Sequence, residues 1–397
     1  MEGDKEQLEK SLVNLLNKIE KISGEKNSKN VRAWVDFLRA CGANIKTILK
    51  NMYCISVFAK YMPSSAQYSK ATKEEIASAI AKVEGSDYSS RTKQNVKITV
   101  KAFYKHFLGE DYYYPKQVAW IKATAKSNKK MLPEDILDED EVLSMIEAAD
   151  NARDKAIIAL LYDSGIRVGE LLSLRKKDVD LNNEIAHVIV NGKTGMRKVP
   201  ILFSAPYLSN YLEIVRDKEL NEHLWTAIGT WKEHNKLVEP AAIRKLLQIA
   251  GKRAGIRKRI YPHLFRHSRA TYYANKLTEQ QLKAFFGWTG DSKMVSTYVH
   301  MSGRDIDDAV LQAYGKKPRE ALAPKLTEKV CPRCRFANGI DFLHCKRCGA
   351  PLDARAAVEA VEDEDTTRAS VAKMITSDPK LMEKVIQEYL AGQRKKQ

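Results

Sequence analysis

The chain has 397 residues, and 44% of them are hydrophobic, which is enough for packed cores in roughly two or three domains. Its 67 Lys and Arg against 50 Asp and Glu give a net charge of +17, which favours a polyanionic partner, nucleic acid before membrane. No segment approaches about 18 uninterrupted apolar residues, and no apolar stretch follows a basic start. We therefore expect neither a membrane span nor a signal peptide, and a cytoplasmic protein.

The first 121 residues are predicted to form a bundle of five helices. Apolar residues recur at helical spacing over 5–22, where the first helix is expected. The starts of the other four are marked by Ser28, by Asn44, by a capping box of Thr72 and Glu75, and by Ser89. The basic faces of this bundle are either ordinary solvated surface or a DNA-binding surface. A basic linker with four lysines follows over 122–134.

A second domain is predicted over 135–325. Asp138 and Glu141 form another capping box, and helical patterns cover 154–164, 240–254, 263–276 and 278–287. Alternating β-branched residues over 184–190 and a matching segment over 197–202 flank the glycine-rich stretch NGKTGM, which predicts a β-hairpin. The expected fold class is mainly α with a small antiparallel β-sheet (α+β).

Two pairs of cysteines, separated by ten residues, predict a zinc module over 326–352. Each Cys-x2-Cys pair can aim two thiolates at one ion, and two pairs complete a closed tetrahedral site, which indicates structural Zn²⁺ rather than a catalytic metal. The ligands are Cys331, Cys334, Cys345 and Cys348. His344 is an alternative ligand whose position beside Cys345 fits less well. An acidic linker and an amphipathic helix near 379–391 are expected within 353–397.

Four segments of the second domain carry groups suited to phosphodiester chemistry. They are GIRVGE around Arg167, Lys193 between the hairpin strands, HLFRH around Arg266, and FGW followed by Tyr298. A guanidinium donates two parallel hydrogen bonds to a phosphate, a tyrosine hydroxyl can attack phosphorus, and a lysine can protonate a leaving oxygen. Each residue alone also has an ordinary reading: Arg167 as a surface ion pair with Glu170, for example, or Tyr298 as one of 17 tyrosines.

In order, spacing and local context, these segments resemble the tyrosine recombinase (phage-type integrase) family from Ala156 to Gly303. The helical first domain is similar to the family's core-binding, DNA-contacting domain. Trailing cysteine pairs and the run FGWTGD look most like archaeal members. Between Trp288 and Tyr298 stands one residue more than in common bacterial members, and the TGDSK loop can absorb it.

The resemblance implies a role for each matched residue. Arg167 and Arg266 would bind the scissile phosphate, and Tyr298 would be the nucleophile. Lys193 would be the general acid for the 5′-oxygen, and His263 would assist proton transfer to or from the tyrosine. Trp288 stands where histidine is common and can donate its indole N–H to a phosphate oxygen. Glu170 would support the site by contacting its residues rather than the DNA.

The implied function is site-specific recombination, in which duplex DNA is cut and rejoined through a 3′-phosphotyrosine intermediate. The resemblance further implies a homotetramer on double-stranded DNA at the nucleoid, with no need for ATP or a catalytic metal. Two alternatives stay open. One is a relaxing enzyme similar to type IB topoisomerases, and the other is a zinc-containing DNA-binding regulator without catalysis.

Overall fold

The structure is a computed structural model that describes most of the chain in thirteen ranges. These are 2–63, 65–109, 113–124, 132–181, 185–192, 194–227, 237–274, 276–292, 294–301, 314–315, 324–358, 373 and 382–383. The chain divides into two compact units, 1–130 and 131–397. Among the described helices, none combines the length and the apolar character that crossing a membrane requires.

The described residues of the first unit form helices joined by turns and short irregular segments. Its helices are α1 (Glu2–Ala40), α2 (Ile45–Ala59), α3 (Lys73–Glu84), α4 (Ser90–Leu108) and α5 (Lys116–Ala119), with a 3₁₀ turn at Tyr68–Lys70. The predicted caps at Asn44 and Ser89 and the capping box of Thr72 with Glu75 are confirmed. They work because a side-chain oxygen accepts a backbone N–H that the first helical turn leaves unpaired.

The predicted break between the first two helices is confirmed, but it lies at Gly24 and is shorter than predicted. α1 runs from Glu2 to Ala40, and its only non-helical dihedrals among the described residues lie at Gly24 (φ 78°, ψ 165°). Glycine can adopt this conformation without a Cβ clash, so the helix resumes directly afterwards. Ser28 therefore caps no helix; its hydroxyl donates to Glu20 Oε2 at 3.0 Å.

Aromatic side chains fill the core of the first unit. Phe103 meets the rings of Trp34, Tyr68 and Tyr104 edge to face, at centroid distances of 5.3, 6.1 and 5.4 Å. The buried Asn27 uses its amide three times, donating to the Ser23 and Ala66 carbonyls at 2.9 and 2.8 Å and accepting from the Tyr68 N–H at 2.8 Å. Edge-to-face pairs add specificity to the burial of apolar area.

The second unit surrounds a central buried helix, α7, whose residues 156–164 are all buried. Its helices are α6 (Glu139–Glu147), α7 (Ala152–Ser164), α8 (Val168–Ser173), α9 (Ala205–Ile214), α10 (Pro240–Arg253), α11 (Pro262–Ala274), α12 (Glu279–Phe286) and α13 (Met294–Met301). Short 3₁₀ turns lie at Pro133–Asp135 and Lys176–Asp178. The capping box of Asp138 with Glu141 is confirmed.

A small antiparallel sheet packs beside these helices. Its strands are β1 (Val179–Asp180), β2 (Ala186–Gly192) and β3 (Gly195–Ile201), in the order β1-β2-β3. The predicted hairpin is confirmed, although its strands pair as far as Gly192 opposite Gly195 and so reach further than the sequence pattern suggested. β1 was not predicted, because a two-residue strand carries no alternation.

The cysteine-containing segment belongs to the second unit and includes a two-stranded sheet of β4 (Lys329–Val330) and β5 (Ala337–Asn338). The fold class is mainly α with small antiparallel sheets, as expected. The predicted linkers fall largely on 125–131 and 359–372, which lie outside the described residues. Apart from 382–383, the predicted helix near 379–391 lies outside them too, as does Lys193.

Candidate active site

Arg167 is positioned by a tight turn between α7 and α8. Gly165 ends α7 in the left-handed conformation (φ 57°, ψ 23°), and Arg167 caps the start of α8. A Cβ at Gly165 would lie 2.6 Å from Cε1 of Phe286, so only glycine fits both the dihedrals and the space. The turn places the partly exposed Arg167 side chain beside the C-terminus of α12.

Glu170 joins two arginines from different elements. It accepts hydrogen bonds from Nη1 of Arg167 at 2.8 Å and from Nη1 and Nη2 of Arg197 at 3.0 and 2.8 Å. Burial acts to raise the pKa of Glu170, but the bonds from Arg197 and from Arg167 outweigh it and lower the pKa to about 2. A Cβ at Gly192 would lie 2.3 Å from Glu170 Oε1, so the end of β2 packs directly against the carboxylate.

Three consecutive backbone carbonyls at the C-terminus of α12 accept hydrogen bonds from three different arginines. The pairs are Phe285 O with Arg197 Nε (3.0 Å), Phe286 O with Arg266 Nη2 (2.5 Å), and Gly287 O with Arg167 Nη2 (3.4 Å). The last carbonyls of a helix have no partner within the helix and carry its negative partial charge. The end of α12 therefore gathers three guanidinium groups that come from α8, β3 and α11.

Arg266 is 2% exposed and its guanidinium is held from two sides. Besides the bond to Phe286, Nη1 donates to the Gly165 carbonyl at 2.9 Å. Burial first, and then the charge of Arg167, lower the pKa of Arg266 to about 9, so it stays protonated at neutral pH. Such a buried, fixed cation suits the binding of an anion that reaches the site.

Tyr298 lies on α13 and is 1% exposed. Its hydroxyl oxygen is 2.5 Å from Nδ1 of His267, and its ring stacks on Trp288 with a centroid distance of 5.4 Å and an interplanar angle of 2°. The Arg266 guanidinium lies 5.7 Å from the Trp288 ring centroid. Trp288 thus lies near both the candidate nucleophile and one of the candidate phosphate-binding arginines.

His263 is exposed at the edge of the same group of side chains. Its ring meets that of His267 edge to face at 4.7 Å. Partial desolvation, followed by the charges of Arg266 and Arg167, lowers the pKa of His263. The family resemblance implied that His263 assists proton transfer at the tyrosine, whereas the residue hydrogen-bonded to the Tyr298 hydroxyl is His267.

Residues 135–304 match the model of a family described as the phage integrase family. The chain is 32% identical over 217 residues to tyrosine recombinase XerD of Staphylococcus aureus (strain Mu50 / ATCC 700699), an alignment that covers 52% of this chain and 71% of the relative. The chain belongs to the phage integrase family. It is a site-specific tyrosine recombinase, an enzyme that cleaves and rejoins DNA and needs no catalytic metal.

Solved structures support the same fold for this recombinase. XerH site-specific recombinase bound to its palindromic difH substrate, in a post-cleavage complex, matches 77% of this chain and 89% of its own with a TM-score of 0.56 and 19% identity. A lambda integrase tetramer bound to a Holliday junction matches 70% of this chain and 78% of its own with a TM-score of 0.54 and 20% identity.

Sequence reasoning missed two residues of the recombinase's site, Arg197 and His267. Arg197 lies two and four residues before the buried Val199 and Ile201, so all three side chains share the inward face of β3. His267 lies one turn after His263 on α11, so both rings share a helix face. Both signals were present in the sequence, but neither names the partner that the side chain contacts.

The four predicted cysteines meet in one place. All four Sγ atoms lie within 4.8 Å of one another, and the pairs Cys331–Cys348 and Cys334–Cys345 are each 3.6 Å apart. A tetrahedral ion with Zn–S bonds of about 2.3 Å requires S–S distances near 3.8 Å, so the group fits zinc. The buried Asn338 links the two halves, donating to the Phe336 carbonyl at 2.8 Å and accepting from the Lys346 N–H at 3.0 Å.

This cysteine segment is docked on the catalytic helices. Asp341 accepts from the Tyr207 hydroxyl on α9 at 2.7 Å and pairs with Lys155 Nζ on α7 at 2.5 Å. Phe342 packs edge to face on Tyr207 and joins the main core of the second unit. A Cβ at Gly339 would lie 2.8 Å from the Tyr207 ring, which shows how closely the two surfaces meet.

Proposed function

We propose that this recombinase cuts duplex DNA with Tyr298 as nucleophile and with Arg167 and Arg266 as the phosphate-binding residues. One observation carries the proposal: side chains far apart in the sequence converge on the C-terminus of α12, where the guanidinium groups of Arg167 and Arg266 bind adjacent carbonyls beside the Trp288–Tyr298 stack. Two fixed positive charges next to a phenol suit a phosphodiester whose negative charge grows during attack.

In the proposed reaction, Tyr298 Oη forms a bond to the scissile phosphorus while the bond from phosphorus to the 5′-oxygen breaks. The phenol gives up its proton with the assistance of His263, which passes it to solvent, and Lys193 supplies a proton to the departing 5′-oxygen. The 3′-phosphotyrosine keeps the energy of the broken bond, so the 5′-hydroxyl of a partner strand can displace the tyrosine without ATP. DNA must first uncover the site, because Tyr298 and Arg266 are 1% and 2% exposed.

We infer a partner of double-stranded DNA and a homotetramer as the working assembly. Exchange between two duplexes breaks four strands, and each break requires one tyrosine. The lambda integrase tetramer on a Holliday junction supports this arrangement by its similar fold. A net charge of +17 supports contacts along the phosphate backbone. Such a substrate places the enzyme's action in the cytoplasm at the nucleoid.

Covalent capture tests this function. We would incubate the protein with a randomised duplex library nicked near its centre, then isolate DNA that stays bound after denaturation. Wild type is expected to give a 3′-phosphotyrosine adduct that maps to Tyr298 and selects a preferred sequence, and Y298F should give none. Y273F, a matched control at a tyrosine on α11, should react normally. An adduct at another residue, or no adduct, would contradict the assignment.

A plasmid assay separates recombination from the rival enzyme activity. Site-dependent joint products are expected from plasmids that carry the captured sequence. Relaxation of any supercoiled plasmid without such products would instead identify a topoisomerase. Binding without strand cleavage would identify a regulator.

We also propose that the cysteine group holds structural Zn²⁺, which keeps the docked segment folded. The support is the donor set of four thiols at spacings that suit one ion. One equivalent of zinc per chain is expected in purified protein, and C331S should lose it and unfold the segment while leaving strand cleavage intact. C41S, which changes an exposed cysteine of the first unit, is the matched control. Full zinc content in C331S would contradict the site.

A further inference from the structure

The hydroxyl of Tyr298 has one hydrogen-bond partner on the described residues, His267 Nδ1 at 2.5 Å. The two side chains come from different helices, α13 and α11, which lie in contact. Trp288 stacks in parallel on the tyrosine ring, which hinders rotation of the ring about its long axis. The bond to His267 therefore fixes the direction of the hydroxyl within an already confined ring.

The protonation states of the two groups decide what this bond can do. Burial raises the pKa of Tyr298 to about 12, so the phenol keeps its proton at neutral pH. Burial first, and then the charges of His263 and Arg266, lower the pKa of His267 to about 4, so the imidazole is neutral. A neutral imidazole with its ring hydrogen on Nε2 accepts this bond at Nδ1, and we infer that tautomer because it gives the phenol proton an acceptor.

Proton transfer across this bond is strongly disfavoured. A base whose pKa is lowered to about 4 is too weak to take the proton of a phenol whose pKa is raised to about 12. The geometry supports an acceptor that orients the hydroxyl, rather than a general base. A fixed orientation matters because small displacements of a nucleophile cost about 10²-fold in rate.

We propose that His267 is a positioning residue for the nucleophile: its Nδ1 lone pair holds the Tyr298 hydroxyl in the direction from which it attacks phosphorus. The inference rests on the proposed function, in which Tyr298 is that nucleophile. His267 stands next to Arg266 in the chain, so the same turn of α11 sets both the phosphate-binding guanidinium and the acceptor of the nucleophile.

Two substitutions at one position separate orientation from proton transfer. H267N places an amide oxygen near the position of Nδ1 and keeps a hydrogen-bond acceptor, but it cannot take a proton. H267L removes the acceptor and keeps apolar bulk. H187L is the matched control at a histidine of β2 on the face opposite the buried Val188.

The measurement is single-turnover formation of the Tyr298 adduct on the duplex that wild type captures, with DNA affinity and thermal unfolding recorded in parallel. We expect H267L to slow cleavage by about 10- to 100-fold with affinity unchanged, and H267N to recover most of the rate with the wild-type pH profile. H187L should match wild type.

Three results would overturn the inference. A wild-type rate of adduct formation in H267L would show that the contact has no effect on cleavage. A faster rate in H267L would show that the contact restrains the tyrosine. H267N as slow as H267L, with an altered pH profile, would make His267 a proton acceptor instead. Loss of the adduct in wild type would instead refute the proposed function, so the two failures remain distinct.

Discussion

The two compact units bury different polar side chains. Among the described residues, those buried in the first unit are uncharged: Asn27, Ser28, Ser56 and Thr99. Those buried in the second unit include four charged residues, Asp163, Glu170, Arg266 and Arg269. Both sets have partners, since Asn27 bonds three backbone groups and Arg269 Nη2 bonds Asp163 at 2.9 Å.

This difference follows from what each unit does. A buried charge costs several kcal/mol unless it is paired, and replacing a buried pair by apolar residues is often neutral. A unit that needs only a stable shape gains nothing from such charges, and the first unit packs aromatic rings instead. We infer that the second unit keeps such charges because, in the proposed function, Arg266 must be fixed before the phosphodiester arrives.

The largest effect is expected when a buried charge near Tyr298 is removed. R266A should reduce strand cleavage by at least about 10³-fold, because it deletes a fixed cation where negative charge develops. Binding of duplex DNA should change only a few-fold, since most affinity comes from other phosphate contacts. R253A, at a surface arginine paired with Asp150, is the control in cleavage and binding assays. Equal losses of cleavage and affinity would argue against a catalytic assignment for Arg266.

Neutralising Glu170 should destabilise the second unit alone. E170Q keeps the shape of the side chain but leaves Arg167 and Arg197 without their carboxylate, and we expect a loss of about 3 kcal/mol in the free energy of unfolding. Urea denaturation with hydrogen exchange read separately in each unit would measure it. E147Q, at an exposed glutamate of α6, should stay within about 0.5 kcal/mol of wild type. Equal destabilisation of both units would erase the contrast between them.

A core truncation in the first unit should lower the stability of that unit and leave the cleavage rate unchanged. V100A removes two methyl groups from a fully buried position and should cost about 2 kcal/mol of stability in that unit. Single-turnover cleavage at saturating DNA should not change, because no charge near Tyr298 is touched. A slower chemical step in V100A would show that the aromatic core also shapes the catalytic unit.

Mild acid should weaken the second unit first. The pKa of His267 is lowered to about 4 from 6.5. Below pH 6.5 the unfolded state therefore binds more protons than the folded state, and stability decreases as the pH is lowered. Allowing for its partial exposure to solvent, we expect about 1 kcal/mol to be lost between pH 6.5 and pH 5. The Glu170 contribution, with its pKa near 2, is lost only below about pH 4.5. Urea denaturation midpoints measured across this pH range would show the loss of stability. H267N should reduce the loss between pH 6.5 and pH 5.

Local signals in the sequence predicted local structure well. The capping boxes at Thr72 and Asp138 and the hairpin strands depend on neighbours three residues away or on simple alternation. The stretch around Gly24 was predicted as a break and is one, but its glycine and polar residues suggested a longer loop than the single non-helical residue that separates the two helices. Propensity is a weak guide when tertiary packing can continue a helix on both sides.

The chemistry of the candidate site was partly readable from the sequence, and its connections were not. Motif context singled out Arg167, Arg266 and Tyr298, and the structure brings all three to the end of α12. Arg197 and His267 escaped notice because their importance lies in contacts with residues far away in the chain. A backbone carbonyl that binds an arginine leaves no trace in side-chain identity at all.

The row of carbonyls from Phe285 to Gly287 has a consequence for how this enzyme can be dissected. Alanine scanning deletes the side chains of Phe285 and Phe286, adds a methyl group at Gly287, and leaves every main-chain oxygen in place, so it would overlook the acceptors that orient three guanidinium groups. Semisynthesis with amide-to-ester exchange weakens one such acceptor at a time. It would reveal how much of the arginine arrangement depends on backbone atoms that no codon change can remove.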